Sequence, residues 1–309
     1  LEKILVTGGA GFIGSNLVDK LVQKDCEVYV VDDLSMGKRS NLPRSEHVHF
    51  FQRSIIDFDF MEKLLVREQF EYIFLMAAVA SVADTVVHPY STHRVNQDAD
   101  VFLLEVIRKN NLKPKKVLFT SSAAVYGDDP QLPKGEMSRI NPLSPYAIDK
   151  YATERFVINY GKLYGINTVA TRFFNVYGPK QNPKSPYSGV LSIIADCLSS
   201  GSPFNVFGDG EQTRDFVYID DVVAALMLLI RSENTNGYVY NVATGISTDL
   251  NEVISIFEKV SEKKLTVVHK DPRKGDIKYS VADVTRLSNL GYEAMVPITV
   301  GLRRYWNFL

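Results

Sequence analysis

Tyr146 and Lys150 stand four residues apart in the string Ser144-Pro145-Tyr146-Ala147-Ile148-Asp149-Lys150. On a helix that spacing puts both side chains on one face, about 5–6 Å apart at Cβ. A free tyrosine titrates near ~10, too high for a useful base at neutral pH. An ammonium held one turn away favours the phenolate and is expected to lower that value. Ser144 suits an N-cap and Pro145 the first helical position, so a helix is predicted to start here. Alone, the pair reads more readily as an ordinary surface tyrosine and lysine, because Tyr-x-x-x-Lys often occurs by chance, and its company has to decide.

That company is of two kinds. Near the N-terminus the chain reads Thr7-Gly8-Gly9-Ala10-Gly11-Phe12-Ile13-Gly14, between an apolar run and an amphipathic one. Glycines there allow a tight turn, close approach of the backbone to a pyrophosphate and close helix–strand packing; the helix start offers free N–H groups to the phosphates. Asp32 follows at the end of the next apolar run, where a carboxylate suits the adenosine ribose hydroxyls and repels a 2′-phosphate. NAD is therefore favoured over NADP, with Lys38 and Arg39 near enough to keep NADP as a minor alternative. Asp32-Asp33 also reads as a solvated strand end. Further on, Phe119-Thr120-Ser121-Ser122-Ala123-Ala124-Val125-Tyr126-Gly127 ends another apolar run. A Ser122 hydroxyl at such a strand end could hold a substrate alcohol while Tyr146 takes its proton, or could merely cap backbone.

These groups need a frame. Short apolar runs at 3–7, 27–32, 48–52, 72–76, 116–121 and 167–172 read as strands. Amphipathic stretches at 11–24 and 95–109, and the one carrying Tyr146, read as helices. Continuous apolar strands between helices predict a doubly wound, Rossmann-type α/β fold with a parallel sheet covered on both faces. After about residue 175 Pro and Ser thicken, and short strands and helices follow. The expected organisation is a dinucleotide-binding domain over 1–175, with returns near 220–243, and a smaller, discontinuous mixed α/β lobe over 176–309.

Bulk composition narrows the function classes. The chain has 309 residues, 45% hydrophobic, enough for one large or two medium domains. Its 35 basic and 36 acidic residues leave a net charge of −1, which gives no electrostatic case for nucleic acid or a membrane surface. Two cysteines and five scattered histidines show no metal-ligand spacing, so no metal is expected. No leader pattern precedes the first strand-like run, and the longest apolar run, 222–230, is far short of the ~20 residues of a membrane span. Without a disulfide framework, a reducing cytoplasm is the default expectation.

Taken together, these motifs resemble those of the extended short-chain dehydrogenases/reductases, in the NAD-dependent epimerase/dehydratase family, and most closely the UDP-sugar 4-epimerases. The resemblance spans essentially the whole chain. It includes Arg172-Phe173-Phe174-Asn175-Val176-Tyr177-Gly178-Pro179, Gly208-Asp209-Gly210-Glu211-Gln212-Thr213-Arg214-Asp215-Phe216 and Arg273-Lys274-Gly275-Asp276. It implies that Ser122 and Tyr146 hold the sugar O4 and that Lys150 also holds the nicotinamide ribose. Gly8, Gly11, Phe12, Ile13, Asp32 and Asn96 would form the cofactor pocket, with Phe174 near the nicotinamide. Asn175, Arg214, Arg273 and Asp276 would hold the nucleotide diphosphate; the arginines fit, because a pyrophosphate needs fixed cationic forks. Either Arg also reads as a surface ion-pair partner. The implied chemistry is oxidation at C4 and return of the hydride to the other face of a 4-keto sugar. The helices at 95–109 and 145–164 commonly pair across a two-fold in this family, so a homodimer is expected.

Dehydratases of the family carry an acidic pair after the strand-end hydroxyl, and this chain has Ala123 and Ala124 there. The Glu of UDP-glucuronate decarboxylases and the Cys of GDP-fucose synthases are missing too. Four residues after Asp276 the family sets the room around the sugar C2 substituent. Tyr there restricts some members to UDP-glucose and UDP-galactose; this chain has Ser280, although the adjacent Tyr279 would close the pocket in a register one residue shorter. Ser280 implies that UDP-GlcNAc and UDP-GalNAc are accepted, beside or instead of UDP-Glc and UDP-Gal. Two departures stand out: Ser54-Ile55-Ile56 replaces an Asp-Ile pair that touches adenine, and 77–82 lacks a lysine present in some glucose/galactose enzymes. A UDP-glucuronate 4-epimerase is the nearest rival, with cationic or hydroxyl partners drawn from 180–188. A non-catalytic NAD sensor is a different class, and such proteins usually lack the Tyr/Lys pair.

Overall fold

The computed structural model describes residues 1–181, 189–272 and 277–309. Arg273 and Asp276 lie outside the described residues, as does most of the 180–188 segment. The chain divides into two compact units. One comprises Leu1–Val125, Pro142–Arg172 and Val223–Tyr240; the other comprises Tyr126–Asn141, Phe173–Val222 and Asn241–Leu309. Residues 126–141, which the sequence places with the first lobe, thus cluster with the second.

The first unit starts with β1 (Lys3–Thr7), α1 (Phe12–Val22), β2 (Glu27–Asp32), β3 (Val48–Gln52), α2 (Phe58–Glu68) and β4 (Tyr72–Leu75). Two short helices follow, α3 (Val82–Val87) and α4 (Pro89–His93), then a π-helical turn at Arg94–Asp98 that runs into α5 (Ala99–Lys109). Next come β5 (Lys116–Ser122), α6 (Pro145–Tyr164) and β6 (Thr168–Phe173). The second unit carries β7 (Asn175–Tyr177), α7 (Val190–Ser200), β8 (Phe204–Phe207), β9 (Thr213–Arg214) and β10 (Phe216–Tyr218). The chain then forms α8 (Ile219–Arg231), β11 (Tyr238–Val242), β12 (Thr248–Asp249), α9 (Leu250–Ser261), β13 (Val267–Lys270), α10 (Thr285–Ser288) and α11 (Ile298–Phe308).

Seven strands make one sheet in the order β11-β6-β5-β4-β1-β2-β3. β1 pairs in parallel with β2 and β4, β2 with β3, and β4 with β5. The order reverses at β1/β4, which makes the carboxyl ends of these two strands the topological switch point where doubly wound folds bind ligands. β1 and β2 are almost wholly buried, as their continuous apolar runs require. On one face of the sheet Leu5, Val31, Ile73, Val117 and Ala170 pack beneath Leu64 and Leu65 of α2, Leu103, Leu104 and Ile107 of α5, and Val157 and Ile158 of α6. In the second unit β10 pairs in parallel with β7, and β9 antiparallel with β12.

Strand bounds expected from the sequence agree with these to within a residue. The helix expected over 95–109 differs: its first turn is the wider π-helical one. Both cysteines are buried and free. Among the described residues no helix is long and apolar enough to cross a membrane, and no group of three or more His, Cys, Asp or Glu side chains could hold a metal ion.

Candidate active site

At the carboxyl end of β1 the Thr7 hydroxyl accepts from the Met76 and Ala77 N–H groups at 2.9 and 3.2 Å, joining the two strands of the switch point. The chain then turns through Gly8, whose φ is +68° and whose N–H reaches Val31 O at 2.8 Å. A Cβ on Gly8 would stand 2.7 Å from the Ala77 Cα, and one on Gly14 2.4 Å from the Gly8 carbonyl. Packing alone therefore requires glycine at both positions. Gly11 differs. Its φ is −73°, and the one atom that its Cβ would approach is the Gly8 carbonyl, at 3.2 Å. Little inside the protein demands glycine there, whereas a ligand lying against the backbone would.

Gly11 is also the N-cap of α1 and brings no side-chain acceptor to the helix start, so Phe12 and Ile13 open a helix with donors toward that turn. Asp32 ends β2 beside it. Its Oδ2 accepts from Ala10 N–H at 2.9 Å and its Oδ1 from Leu34 N–H at 2.8 Å. Burial pushes this carboxyl up, and the Leu34 and Ala10 N–H groups oppose that. Each oxygen keeps a lone pair for a sugar hydroxyl. Arg39 lies over the Phe50 ring at 4.8 Å. A glycine with no packing reason, a helix start without a side-chain cap and a carboxylate at the end of the neighbouring strand fit the pyrophosphate and ribose of a dinucleotide.

The second group sits on β5 and α6. Ser144 caps α6 by accepting from Ala147 N–H at 3.2 Å, Pro145 occupies the first turn, and Thr85 Oγ1 accepts from Tyr146 N–H at 3.3 Å. Lys150, buried, donates from Nζ to the Thr120 carbonyl at 2.9 Å and lies 4.8 Å from the Phe119 ring centroid. Ser122 Oγ accepts from Ala124 N–H at 3.2 Å, which leaves its own proton to donate. Burial raises the Tyr146 phenol, and the Ser122 hydroxyl beside it draws it back. Burial likewise lowers the Lys150 ammonium, against the pull of Asp100 and then Asp149.

This corrects one expectation. The lysine was expected to lower the tyrosine, yet desolvation dominates the phenol, because the ammonium is itself buried and turned onto the Thr120 carbonyl.

Asn96 is fully buried on the π-helical turn. Its Oδ1 accepts from Val79 N–H at 2.7 Å and its Nδ2 donates to Val79 O at 3.2 Å, so its amide fixes the segment after β4. The wide turn frees the Asn96 carbonyl, which accepts from the Thr153 hydroxyl of α6 at 3.1 Å. Thr7, Thr120, Thr153 and Asp100 were not singled out from the sequence. For Asp100 a signal existed: with Leu103, Leu104 and Ile107 it falls on the i, i+3, i+4, i+7 stripe of α5, an acid where the pattern calls for an apolar residue.

The second unit assembles other predicted residues. Asn175 N–H donates to Asp215 O at 3.1 Å, next to Arg214, whose Nη1 donates to Thr213 O at 2.8 Å. Thr213 N–H reaches Lys278 O at 2.8 Å, which lays the segment holding Ser280 beside β9. Asp215 is the clamp of this region. Its carboxylate accepts from Thr244 N–H and hydroxyl, Gly245 N–H and Ala282 N–H at 2.7–3.2 Å. Tyr279 is half exposed, with the Lys278 ammonium 5.7 Å from its ring centroid, while Ser280 is more covered. Phe174 is buried, its ring centroid 6.2 Å from that of Tyr126.

The model of the NAD dependent epimerase/dehydratase family matches residues 4–243. The chain is similar to a crystal structure of UDP-glucose 4-epimerase with UDP-glucose from Thermotoga maritima, at 38% identity and a TM-score of 0.93 over 99% of this chain and 98% of that one. It is similar to the UDP-N-acetylglucosamine 4-epimerase of Methanobrevibacter ruminantium in complex with UDP-N-acetylmuramic acid, at 37% identity and 0.94 over 99% and 97%. A UDP-glucose 4-epimerase of Thermus thermophilus, solved in complex with NAD, is 34% identical, with a TM-score of 0.90 over 99% and 98%. The family model spans most of the chain, and this chain belongs to the NAD dependent epimerase/dehydratase family.

Proposed function

We propose that this chain is an NAD-dependent UDP-sugar 4-epimerase whose sugar pocket admits an N-acetyl group. The observation that carries the reading is the group at the end of β5: Ser122, Tyr146 and Lys150, with alanines at 123 and 124 and hence no second acid in the turn. Gly8, Gly11, Phe12, Ile13 and Asp32 would hold the dinucleotide, with Lys150 on its ribose and Phe174 near its nicotinamide. Asn96 would act through the backbone after β4. When bound, NAD accepts a hydride from the sugar C4 and returns it.

The chain's own part is one proton and one alignment. Ser122 Oγ, its lone pair engaged by Ala124 N–H, donates to the sugar O4. Tyr146 removes the O4 proton as the C4–H electron pair leaves, so a 4-keto sugar forms. The same tyrosine gives the proton back to O4 when the hydride returns to the opposite face. Nothing is consumed, and the product is the C4 epimer. Asn175 and Arg214, and Arg273 and Asp276 outside the described residues, would hold the nucleotide while the sugar turns over.

Ser280 supports the N-acetyl reading. Tyr279 is turned toward Lys278 and solvent, which favours the register that puts the smaller side chain at the sugar. The test is direct. The purified protein, supplied with NAD, is incubated separately with UDP-Glc, UDP-GlcNAc and UDP-GlcA, and the epimers are resolved chromatographically. Epimer from UDP-GlcNAc is the expected result. No epimer from any sugar overturns the activity; turnover of UDP-Glc alone overturns the Ser280 argument; turnover of UDP-GlcA alone favours the glucuronate rival.

A further inference from the structure

Asp100 is fully buried on the first turn of α5, on the stripe that α5 turns to the core. Among the described residues neither of its carboxylate oxygens accepts a hydrogen bond. A buried acid without donors is disfavoured, and side chains of this kind persist where a charge or a function holds them. The charge that Asp100 feels is the Lys150 ammonium.

The other acids near Lys150 have charged partners of their own, although Asp149 Oδ2 lacks a hydrogen-bond donor among the described residues and Asp149 also acts on the lysine. Asp149, next to it on α6, accepts from His93 Nδ1 at 2.7 Å, and His93 Nε2 faces Asp98 at 3.4 Å. Glu154, one turn on, forms a fork with Arg172 at 2.7 and 2.9 Å. β5 offers Lys150 the Thr120 carbonyl and the Phe119 ring, both without formal charge. Tyr146, on the same face of α6, becomes negative only when it gives up its proton. Asp100 is thus the acid whose two oxygens both lack a donor among the described residues, and Lys150 is the charge that acts on it.

We propose that Asp100 is a positioning residue of the reaction: a buried counter-charge that keeps Lys150 an ammonium behind Tyr146. The role rests on the epimerase reading above, while the charge relation itself does not. Burial drives Lys150 toward the neutral amine and Asp100 toward the neutral acid, each holding the other back. Removing Asp100 takes away the larger of the two acids that oppose burial at the lysine and leaves Asp149 alone against it. The lysine proton is then lost at lower pH, and with it the positive field at the phenolate.

The test is a titration followed by ¹³C NMR with lysine labelled at Cε, on the wild type, Asp100→Asn and a Lys150→Met variant that assigns the signal. The wild type is expected to show two lysines titrating well below the ordinary ~10.4, Lys116 and Lys150, both lowered by burial, and the signal lost in Lys150→Met is the one that is followed. Asp100→Asn is expected to move that titration down by about one pH unit or more. The alkaline limb of kcat/KM for a UDP-sugar should move down with it. A merely structural Asp100 would change the melting temperature and leave the lysine titration and the limb in place, which overturns the proposal. Should Asp100→Asn fail to fold, Asp Cγ resonances of the wild type decide. One aspartate titrating well above ~3.9, and further up in Lys150→Met, supports the pairing; none doing so overturns it. If no UDP-sugar is turned over but the titrations behave as stated, the functional reading fails and the charge pairing stands.

Discussion

The Tyr146 phenol carries the chemistry, and its surroundings set how it does so. Burial raises it and the Ser122 hydroxyl opposes that, so the group that draws this tyrosine back is a hydroxyl at its own oxygen. Tyr146→Phe removes the group that takes the O4 proton and leaves the ring that packs. Its kcat is expected to fall by roughly 10²–10⁴, the usual worth of a positioned acid–base group. Calorimetric UDP-sugar affinity should stay within a few-fold; unchanged kcat would remove Tyr146 from the mechanism. Ser280→Tyr makes the opposite kind of test. A ring at that position should depress kcat/KM for UDP-GlcNAc more than for UDP-Glc, and equal losses would show that the register is wrong. Much of this was legible beforehand, because Ser122, Tyr146 and the glycines carry their chemistry in residue type and spacing. Asp100 was legible only as an acid out of place on the apolar stripe of α5, since what it faces depends on the packing. The direction of the Tyr146 shift was not legible, because desolvation depends on what covers the ring.

At the scale of elements, α6 does the positioning, and it is fastened on both flanks. Thr153 takes the carbonyl freed by the π-helical turn, and Glu154 meets Arg172 of β6 in a buried fork. The strands could be read from the sequence because each is a continuous apolar run. The π-helical turn could not, since it is held by long-range bonds from Asn96 to Val79 and from Thr153 to Asn96. Glu154→Gln should cost about 3–5 kcal/mol of unfolding free energy in urea titrations, because it removes the carboxylate that the buried Arg172 guanidinium forks onto. Glu154→Leu with Arg172→Met should lose clearly less than the two single changes added; strict additivity would mean that the fork couples nothing. A surface pair makes a pH-dependent counterpart. Lys3 of β1 and Arg67 both bond Glu68 of α2, and with Lys3 foremost they hold that carboxyl down to about 2. A carboxyl lowered on folding stabilises the fold above its unfolded value near ~4.3, and that stability is lost as pH falls through the folded one. The melting-temperature gap between wild type and Glu68→Gln should therefore close between about pH 4.3 and pH 2. A gap that holds constant across that window would show that the pair contributes nothing electrostatic.

At the scale of the whole molecule, α6 carries one face more than a monomer needs. Ala147, Lys150, Thr153, Val157 and Ile158 are buried, yet Ile148, Phe156, Leu163 and Tyr164 are 41–71% exposed. Four large apolar groups along one helix of ~30 Å form a stripe of the kind that marks an interaction surface. α5 adds to the same side: Glu105 accepts from the Tyr160 hydroxyl at 3.2 Å, and Arg108 lies over the Tyr164 ring at 5.1 Å. Two adjoining helices from each of two copies can close about a two-fold, and a self-complementary patch is what such symmetry requires. A stable interface buries ~1,200–2,000 Å² in total, within reach of two helices a side. We therefore expect a homodimer through α5 and α6. Sedimentation at micromolar concentration should give twice the chain mass of 34.7 kDa. Phe156→Glu should give the single mass, because a carboxylate at the centre of an apolar seam would be desolvated without a partner. The dimer's melting temperature should rise with protein concentration and that of Phe156→Glu should not, since association stabilises only the folded chain. A wild type that sediments at the single mass and melts independently of concentration would leave this stripe to some other partner.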